Sequence, residues 1–577
     1  MRSRSGRTIG VMTTATRTAA LWQSFTPKLV TTLREGYSLG DLRHDAVAGL
    51  TVAIVALPLS LALAIASGTT PDKGLTTAIV AGFLISACGG SRVQIGGPTG
   101  AFVVVVFNVI AQHGYDGLLL ATLLAGLMLI VAGLARLGTW VKYIPQPVIT
   151  GFTAGIAVVI FSSQIRDLFG LTMTNVPADF IEKWLAYARA LPTVNVASTG
   201  VAAGALAIIV MLRRFAPKLP GFLIAVAVSS MLVWLFALDV ATIGSRFGAL
   251  PRTLPVPHLP EISWSAVKDV LPSAFTIAFL AGVESLLSAV IADGMTGRRH
   301  RSNAELIAQG IANFSSTLFG GLPATGAIAR TATNIRAGAR SPISGMLHAG
   351  FILIFMLALG PLIALIPLAS LAAVLVIVAW NMSEIDHFRH LMRAPAGDRV
   401  ILILTFVLTV LIDLTVAIGV GVVLAALMFM HRMAEVSAIR NRVSLDEDDD
   451  AEDERSLSDT AEQRLRLPKG VEVYELRGPL FFGVAEHLLD LLQRTGTRPR
   501  VYVLNLREVP LVDATGASTL RDFIDRCKRR EIPVYIAGVS ERVAATLRDM
   551  HALPRENATV FESLDVAVAR AAVEAKG

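Results

Sequence analysis

The chain has 577 residues, of which 53% are hydrophobic and only 16% are charged. Soluble proteins carry about 25% charged residues, so this composition excludes a soluble fold of this size. Two cysteines, Cys88 and Cys527, are too few for a disulfide framework or a cysteine metal site. Between positions 46 and 431 there are 37 charged residues, whereas the remaining 191 residues hold 58. This distribution predicts a polytopic membrane domain followed by a soluble tail.

Apolar segments recur along the first three quarters of the chain and predict about fourteen membrane spans. Several are shorter than the roughly 20 residues that a full crossing needs. No apolar run precedes Ala20, so the N-terminus is not expected to be a secretory signal. The predicted spans lie near residues 46–66, 74–89, 98–111, 117–135, 146–164, 199–212, 220–238, 270–290, 304–319, 327–336, 343–359, 366–380, 400–413 and 415–431.

Basic residues alternate between the loops that join these spans. With the N-terminus inside, fourteen basic residues fall in inner loops and seven in outer loops. Lys and Arg concentrate in cytoplasmic loops, so both termini are expected in the cytoplasm. Basic loops also account for the net charge of +7, so no nucleic-acid partner is expected.

Two short spans, the third and the tenth, begin with glycine and proline. The third begins GGPTGAF at Gly96, and the tenth begins GGLPATGA at Gly320. Interrupted segments at corresponding places in two halves are typical of inverted-repeat transporters and their mid-membrane sites. A broken backbone must lie inside protein or line a cavity, because lipid cannot satisfy its hydrogen bonds. The alternative is that both are ordinary turns between helices.

Two charged residues within predicted spans, Arg330 and Glu284, are candidates for a functional role. Arg330 comes four residues after Gly326, and a guanidinium in lipid costs several kcal/mol, so it should face a cavity. The start of a half-helix adds free N–H groups and a positive dipole end, which predicts an anion site. The alternative is a structural strut in which the arginine pairs with an acid. Glu284, in the eighth span, can carry a proton, bind a cation or pair with Arg330.

The other charged residues discussed for the membrane domain are expected to have structural or solvent-exposed roles. Asp293 and Asp413 lie near span ends, and Glu384 and Asp386 are expected to be solvated loop residues. The histidines show no metal-ligand spacing, and hydrolase, P-loop and HExxH motifs are not found. We therefore expect no enzyme activity, no metal and no cofactor, and any transport would be secondary.

The tail changes character after His431. An acidic run over 446–454 predicts a solvated linker, and the pattern beyond it predicts a small α/β domain. The predicted organisation is a cytoplasmic segment over 1–42, a membrane domain over 43–433, a charged linker over 434–468 and a terminal domain over 469–575. Strands are predicted over 471–476, 501–506 and 532–537, and helices over 483–493, after Asp513 and from Glu541.

The fourteen-span core, the GGPTGAF segment and the turn Asp513-Ala514-Thr515-Gly516 together resemble the SulP family of anion transporters with a C-terminal STAS domain. Three further strings, ADGMTG at 292–297, IRAGARSPIS at 335–344 and WNMSE at 380–384, resemble the DauA-type C4-dicarboxylate transporters most. The resemblance implies two intertwined inverted repeats of seven spans, divided into a core and a gate domain, in a homodimer. Substrate would lie between spans one, three, eight and ten.

The resemblance also implies roles for individual residues. Many family members have Gln after the first-span proline, whereas this chain has Leu59, which fits a pocket with an apolar wall. Thr515 lies where related domains carry a phosphorylatable hydroxyl, and the alternative is a helix N-cap. Carried over by motif, the substrate-binding residues are Leu59, Leu63, Thr99, Gly100, Ala101, Phe102, Glu284, Ser288, Ile328, Ala329 and Arg330.

The function expected is secondary active transport of C4-dicarboxylates such as succinate, fumarate and aspartate across the bacterial inner membrane, coupled to protons through Glu284. Two alternatives stay open. One is a sulfate or bicarbonate transporter coupled to H⁺ or Na⁺, and the other is a membrane-bound sensor or scaffold that signals through the STAS domain. The expected partners are the small anion, membrane lipid, a second copy of the chain and a cytoplasmic protein that binds the STAS domain.

Overall fold

In the computed structural model, the chain forms two compact units, Met1–Val423 and Leu424–Gly577. The residues described are 24–139, 145–173, 176–177, 179–217, 219–249, 251, 253–412, 414–436, 438–441, 470–481, 488 and 499–575. Asp413, the acidic run over 446–454 and most of the helix predicted over 483–493 lie outside these residues.

The membrane part is built from helices with two very short strands, β1 (Gly96–Gly97) and β2 (Thr325–Gly326). A 3₁₀ turn over Gly100–Phe102 precedes the fourth helix. The helices are α1 (Lys28–Glu35), α2 (Leu39–Ala66), α3 (Pro71–Cys88), α4 (Val103–Leu134), α5 (Gln146–Leu168), α6 (Phe180–Ala190), α7 (Val196–Phe215), α8 (Gly221–Leu235), α9 (Ile243–Phe247), α10 (Trp264–Thr296), α11 (Ser302–Leu318), α12 (Ile328–Arg336), α13 (Ile343–Ala364), α14 (Leu368–Met382), α15 (Ile385–Leu391), α16 (Ala396–Leu411) and α17 (Leu414–Val436).

The predicted helical membrane fold is confirmed, since each predicted span falls on one of these helices. Among the described residues, eight helices are long and apolar enough to cross a membrane, and α8 is a shorter apolar helix. One boundary differs, because the third and fourth predicted spans join in α4 across Gly114, which has φ +71°. Helices are the expected solution in lipid because they satisfy their backbone hydrogen bonds internally.

The first membrane helix, α2, has a capped start and a proline in its second half. Ser38 and Asp41 form a reciprocal capping box, with the Asp41 amide donating to Ser38 Oγ at 3.1 Å. Pro58 lies inside the helix and lacks the N–H that would continue the hydrogen-bond ladder. The residues after Pro58, including Leu59 and Leu63, are buried in the central apolar cluster of the membrane part.

Helices α4 and α11 approach closely where two glycines face each other. A Cβ at Gly126 would lie 2.8 Å from the Gly310 carbonyl oxygen, and a Cβ at Gly310 would lie 2.5 Å from the Gly126 carbonyl oxygen. Both distances are shorter than real carbon–oxygen contacts, and the obstructing atoms are backbone. This contact therefore depends on the absence of both side chains, as is common between membrane helices.

The second unit contains a five-stranded sheet in the order β3-β4-β5-β6-β7. Strand β3 runs antiparallel to β4, and the other neighbouring strands pair in parallel. The three predicted strands are confirmed as β4, β5 and β6. The elements are β3 (Ala438–Asn441), β4 (Val471–Arg477), β5 (Val501–Glu508), α18 (Ala514–Arg529), β6 (Val534–Ala537), α19 (Glu541–Asp549), β7 (Ala558–Phe561) and α20 (Leu564–Glu574).

Two features of this unit correct the sequence analysis. Residues Ala438–Asn441 were placed in the linker over 434–468, but they form an edge strand on β4. Four residues of mixed polarity show no strand period, so only the pairing reveals them. The N-cap of α18 is Asp513, which accepts the Gly516 amide at 2.7 Å, so the alternative role of Thr515 as the cap is wrong. Thr515 is exposed in the first helical turn.

We predict that Gly126→Ala lowers the thermal stability of the full-length protein in detergent. The added methyl group would overpack the α4–α11 contact at a cost of about 1–3 kcal/mol. Gly200→Ala is the matched control, since a Cβ at this helical glycine meets nothing within 4 Å, and it should hold or raise the melting temperature. Equal melting temperatures for the two variants would contradict the close contact.

Candidate functional site

The two interrupted segments meet each other in the membrane part. Strands β1 and β2 pair antiparallel, with Gly96 opposite Gly326 and Gly97 opposite Thr325. All four residues are buried, so the broken backbone lies inside protein, as the sequence predicts. After this pairing the chain enters the 3₁₀ turn and α4 on one side, and α12 on the other.

The 3₁₀ turn and α12 both begin beside the β1–β2 pairing, and their first backbone N–H groups lie near it. Neither Thr99, before the 3₁₀ turn, nor Ala327, before α12, provides a side-chain cap. The first N–H groups of a helix have no acceptor within the helix, and the helix dipole places positive charge there. Two helical starts that converge in this way favour a negatively charged ligand.

Arg330 lies at the same place, and its side chain is only 3% exposed. Its Nη2 atom donates a hydrogen bond to the Pro98 carbonyl oxygen. Its Nε and Nη1 atoms have no hydrogen-bond partner in the described part of the chain. The strut alternative predicts a paired carboxylate, which the described residues do not provide within ion-pair distance. A buried guanidinium with two unused donors is instead arranged to accept a ligand.

Gly97 makes room for this guanidinium. Its φ is +146°, which side chains rarely adopt, and a Cβ there would lie 2.6 Å from Arg330 Nη1. Position 97 of the third span therefore requires glycine, both for its backbone conformation and for the space that Arg330 occupies. Any larger residue would displace the arginine from the junction.

Glu284 projects from α10 towards the start of the broken third span. Its Oε2 atom accepts a hydrogen bond from Thr99 Oγ1 at 3.0 Å, and the residue is partly accessible. This contact joins α10 to the turn that begins the 3₁₀ segment. One donor leaves most of the acceptor capacity of the carboxylate free.

Glu305 on α11, which the sequence analysis did not single out, is the contrasting case. This carboxylate is fully buried. It accepts hydrogen bonds from the Gly90 and Ser91 amides at 2.8 and 3.2 Å, and from Ser285 Oγ and Gln309 Nε2 at 3.0 and 2.9 Å. Four donors satisfy it, so Glu305 holds elements together, whereas Glu284 keeps capacity for a ligand or a proton. The position of this acid within the predicted span 304–319 was the available signal.

Ser288 is buried, whereas the first turn of α12 is partly exposed. Ser288 is fully buried and its Oγ donates to Thr331 Oγ1 at 3.2 Å, so it supports the packing of α10 on α12 in this state. On α12, Ile328 is half-buried and Ala329 is exposed. The turn that carries Arg330 therefore reaches accessible space on one side.

The 3₁₀ turn contacts residues that the sequence analysis did not single out. A Cβ at Gly100 would lie 2.7 Å from the Met382 sulfur and 3.2 Å from Ile160 Cδ1. Met382 ends α14 and Ile160 lies on α5. The turn is therefore pressed against a second group of helices, with no space for a side chain between them.

Leu59 and Leu63, after Pro58 of α2, belong with Ala101 and Phe102 to the large buried cluster that runs through the membrane part. Hydrogen bonds bring together the predicted residues of spans three, eight and ten. Thr515 lies in the other unit. No group of three His, Cys, Asp or Glu side chains suited to a metal ion occurs among the described residues.

Comparisons with known proteins agree with this architecture. The sulfate permease family matches residues 42–405, and the STAS domain matches residues 463–567. The "Putative sulfate transporter YvdB" of Bacillus subtilis (strain 168) is 41% identical over 88% of this chain and 93% of its own length. The bicarbonate transporter BicA of a Picosynechococcus species is 30% identical over 89% of this chain and 92% of its own length.

A solved structure shows the same fold. The murine Slc26a9 anion transporter in the inward-facing state superposes with a TM-score of 0.85, covering 99% of this chain and 97% of that one. At 18% identity this likeness concerns the fold alone. The sequence matches cover more than half of the chain, and the two units correspond to the two matched domains. The chain therefore belongs to the sulfate permease family and carries a C-terminal STAS domain.

Proposed function

We propose that this chain is a secondary active transporter of a small oxyanion, sulfate or bicarbonate, which binds at Arg330. The observation that carries the proposal is the buried guanidinium with unpartnered Nε and Nη1 donors. Relatives named as sulfate and bicarbonate transporters support this substrate class. An oxyanion presents several acceptor oxygens around one centre, which suits a planar guanidinium and backbone N–H groups together.

The proposed cycle moves one group of helices against the other. The anion would bind between Arg330 and the first turns of the two half-helices, where its charge offsets the cost of burying the arginine. The 3₁₀ turn is packed against Met382 and Ile160 in this state, and separation of that contact would open the site to the other side of the membrane. This is alternating access around a fixed binding site.

Glu284 is the proposed coupling residue. It lies one hydrogen bond from Thr99 at the start of the 3₁₀ turn, and a proton on its carboxylate would change the charge that the anion meets. Protonation of Glu284 removes a negative charge when the anion brings another, and this would link proton flux to anion flux. The alternative coupling ion is Na⁺ near Glu284 and Ser288.

A C4-dicarboxylate such as succinate is the second candidate substrate. It is favoured by Leu59 and Leu63, which are buried with Ala101 and Phe102 and could pack against a carbon chain. The sequence strings at 292–297 and 335–344 support the same candidate. The site then binds one carboxylate at Arg330 and the carbon chain along the apolar wall.

We further propose that the protein is a homodimer of the bacterial inner membrane with both termini in the cytoplasm. The distribution of basic loop residues supports this orientation. The STAS domain would then meet a cytoplasmic protein partner, and Thr515 is exposed where such a partner or a kinase could reach it.

Uptake into proteoliposomes that contain only this protein tests the function. Labelled sulfate, bicarbonate and succinate are offered separately, and each is competed with the other two. We expect saturable uptake of sulfate or bicarbonate, weakly inhibited by succinate. Saturable succinate uptake that sulfate does not inhibit would favour the dicarboxylate. No flux of any of the three, in folded protein, would favour a membrane-bound sensor or scaffold.

We predict that Arg330→Ala lowers anion affinity by about 30-fold or more in purified full-length protein. A charge-assisted hydrogen bond contributes about 2 kcal/mol, which corresponds to this factor. Binding is measured by calorimetry, and folding by the melting temperature. Arg336→Ala, at an exposed arginine on the same helix, is the control and should bind as the unmodified protein does. Unchanged affinity in a folded Arg330→Ala variant would overturn the assignment.

Glu284→Gln should abolish uphill anion accumulation driven by an inward proton gradient, while anion exchange at equal pH persists. The amide keeps the shape of the side chain but cannot take up a proton. Asp269→Asn, at an exposed acid on the same helix, serves as the control and should accumulate anion normally. Intact accumulation by Glu284→Gln refutes the role of Glu284 in proton coupling.

A further inference from the structure

A cavity of about 250 Å³ that Arg330 does not line lies at the C-terminal end of α2. Ile65 and Ala66 of α2, Phe107 of α4 and Gln164 of α5 are among the residues that line it. The distribution of basic loop residues places this end of the helices outside the cell. The cavity therefore lies where an external anion would first reach the membrane part.

Three cationic side chains and two carboxylates line the cavity, and both carboxylates have partners within the protein. Asp167 forms an ion pair with Arg246 at 2.9 Å. Asp179 caps α6, and its Oδ1 accepts the Ile181 amide at 2.9 Å. The charge that remains uncompensated in the cavity is positive.

Lys183 is the least compensated of these cations. It is 4% exposed and forms no ion pair within the described residues. Its Nζ lies 5.3 Å from the centre of the Phe107 ring, a cation–π contact that holds it without neutralising it. Burial lowers the pKa of Lys183, and attraction to Asp179 opposes this only in part. An anion in the cavity would remove that cost.

Arg166 adds a second cation at the same cavity. Its Nη2 donates to the Met173 carbonyl oxygen at 2.9 Å, and a carbonyl oxygen does not neutralise its charge. The side-chain amide of Gln164 lies beside it in the lining. Three cations and two carboxylates leave the cavity with a net positive charge, and Lys183 and Arg166 form no ion pair within the described residues, which is a composition suited to a small anion.

The cavity also lies close to the proposed binding site. Val103 and Val104 line it, are 3% and 8% exposed, and directly follow the 3₁₀ turn that ends at Phe102. A helix rises about 1.5 Å per residue, so these two valines lie about 3–5 Å beyond Ala101 along the helix axis. Part of the cavity lining therefore lies within one helical turn of the start of the third-span half-helix.

We propose that this cavity is an outer capture site, which holds a small oxyanion at Lys183 and Arg166 before the transporter opens towards Arg330. The proposal rests on the proposed function for the passage inwards, but occupation of the cavity can be measured without transport. The cavity volume admits a small oxyanion with part of its hydration shell, since liquid water occupies about 30 Å³ per molecule.

The first experiment uses Lys183→Cys in a full-length chain whose two cysteines are replaced by Cys88→Ser and Cys527→Ala. Labelled sulfate and bicarbonate uptake is measured in right-side-out and inside-out membrane vesicles. We expect the KM on the outer face to rise at least tenfold and the KM on the inner face to stay unchanged. Modification with aminoethyl methanethiosulfonate, which restores a cation, should restore the outer KM, and the anionic sulfonatoethyl reagent should not. An unchanged outer KM, or an equal rise on both faces, overturns the proposal.

The second experiment measures protection of the same cysteine, independently of transport. At constant ionic strength, sulfate or bicarbonate should slow its modification by the aminoethyl reagent at least fivefold, whereas the larger gluconate should not. Lys268→Cys, at an exposed lysine on α10, is the control and should be modified at the same rate in every salt.

Arg330→Ala in the Lys183→Cys chain separates the two proposals. It should lose affinity on both faces of the membrane while protection at position 183 persists. Retained affinity on both faces with protection intact counts against the Arg330 site alone, and a lack of protection by both anions counts against the capture site alone.

Discussion

The structure depends on the cost of burying one guanidinium in an apolar interior. Arg330 has five N–H donors, and the Pro98 carbonyl oxygen satisfies only one of its three nitrogen atoms. A protein that only needed stability would avoid this arrangement, because an apolar side chain of similar size would cost less. Gly97 leaves the space that the guanidinium occupies, and the two helical starts follow the paired segments on either side of it. We propose that this unsatisfied cation is one half of a pair whose other member is the transported anion.

The number of hydrogen-bond donors also distinguishes two carboxylates of the membrane part, Glu305 and Glu284. Glu305 has four donors and forms a fixed joint between loop, helix α10 and helix α11. Glu284 has one, at the turn that must move if the site is to open. A carboxylate that is underused and lies beside an underused cation can exchange partners during a cycle, whereas a saturated one cannot. This difference in hydrogen bonding, rather than proximity alone, supports a coupling role for Glu284.

The sequence predicted the features that repeat or that cost free energy in lipid. The apolar segments predicted the spans, the Gly–Pro interruptions predicted the broken third and tenth segments, and an isolated arginine indicated the candidate site. The sequence did not predict contacts between segments that are distant along the chain. These are the hydrogen bond from Arg330 to the Pro98 carbonyl oxygen, the packing of Met382 against Gly100, and the edge strand Ala438–Asn441. The cavity at the C-terminal end of α2 was also missed. Its buried lysine, Lys183, lies on helix Phe180–Ala190 in a loop between predicted spans, where the sequence gives no reason to expect burial. Such features depend on which segments meet, and a single sequence does not specify that.

The central claim is that Arg330 and the two half-helix starts hold the anion. The most direct measurement is a structure of the full-length protein with selenate, whose anomalous scattering locates an anion that resembles sulfate. The account predicts selenate oxygens at hydrogen-bond distance, about 2.7–3.2 Å, from Arg330 Nη1 or Nε and from backbone N–H groups near residues 100 and 328. A selenate bound elsewhere, with the Arg330 guanidinium paired to Glu284, would contradict it.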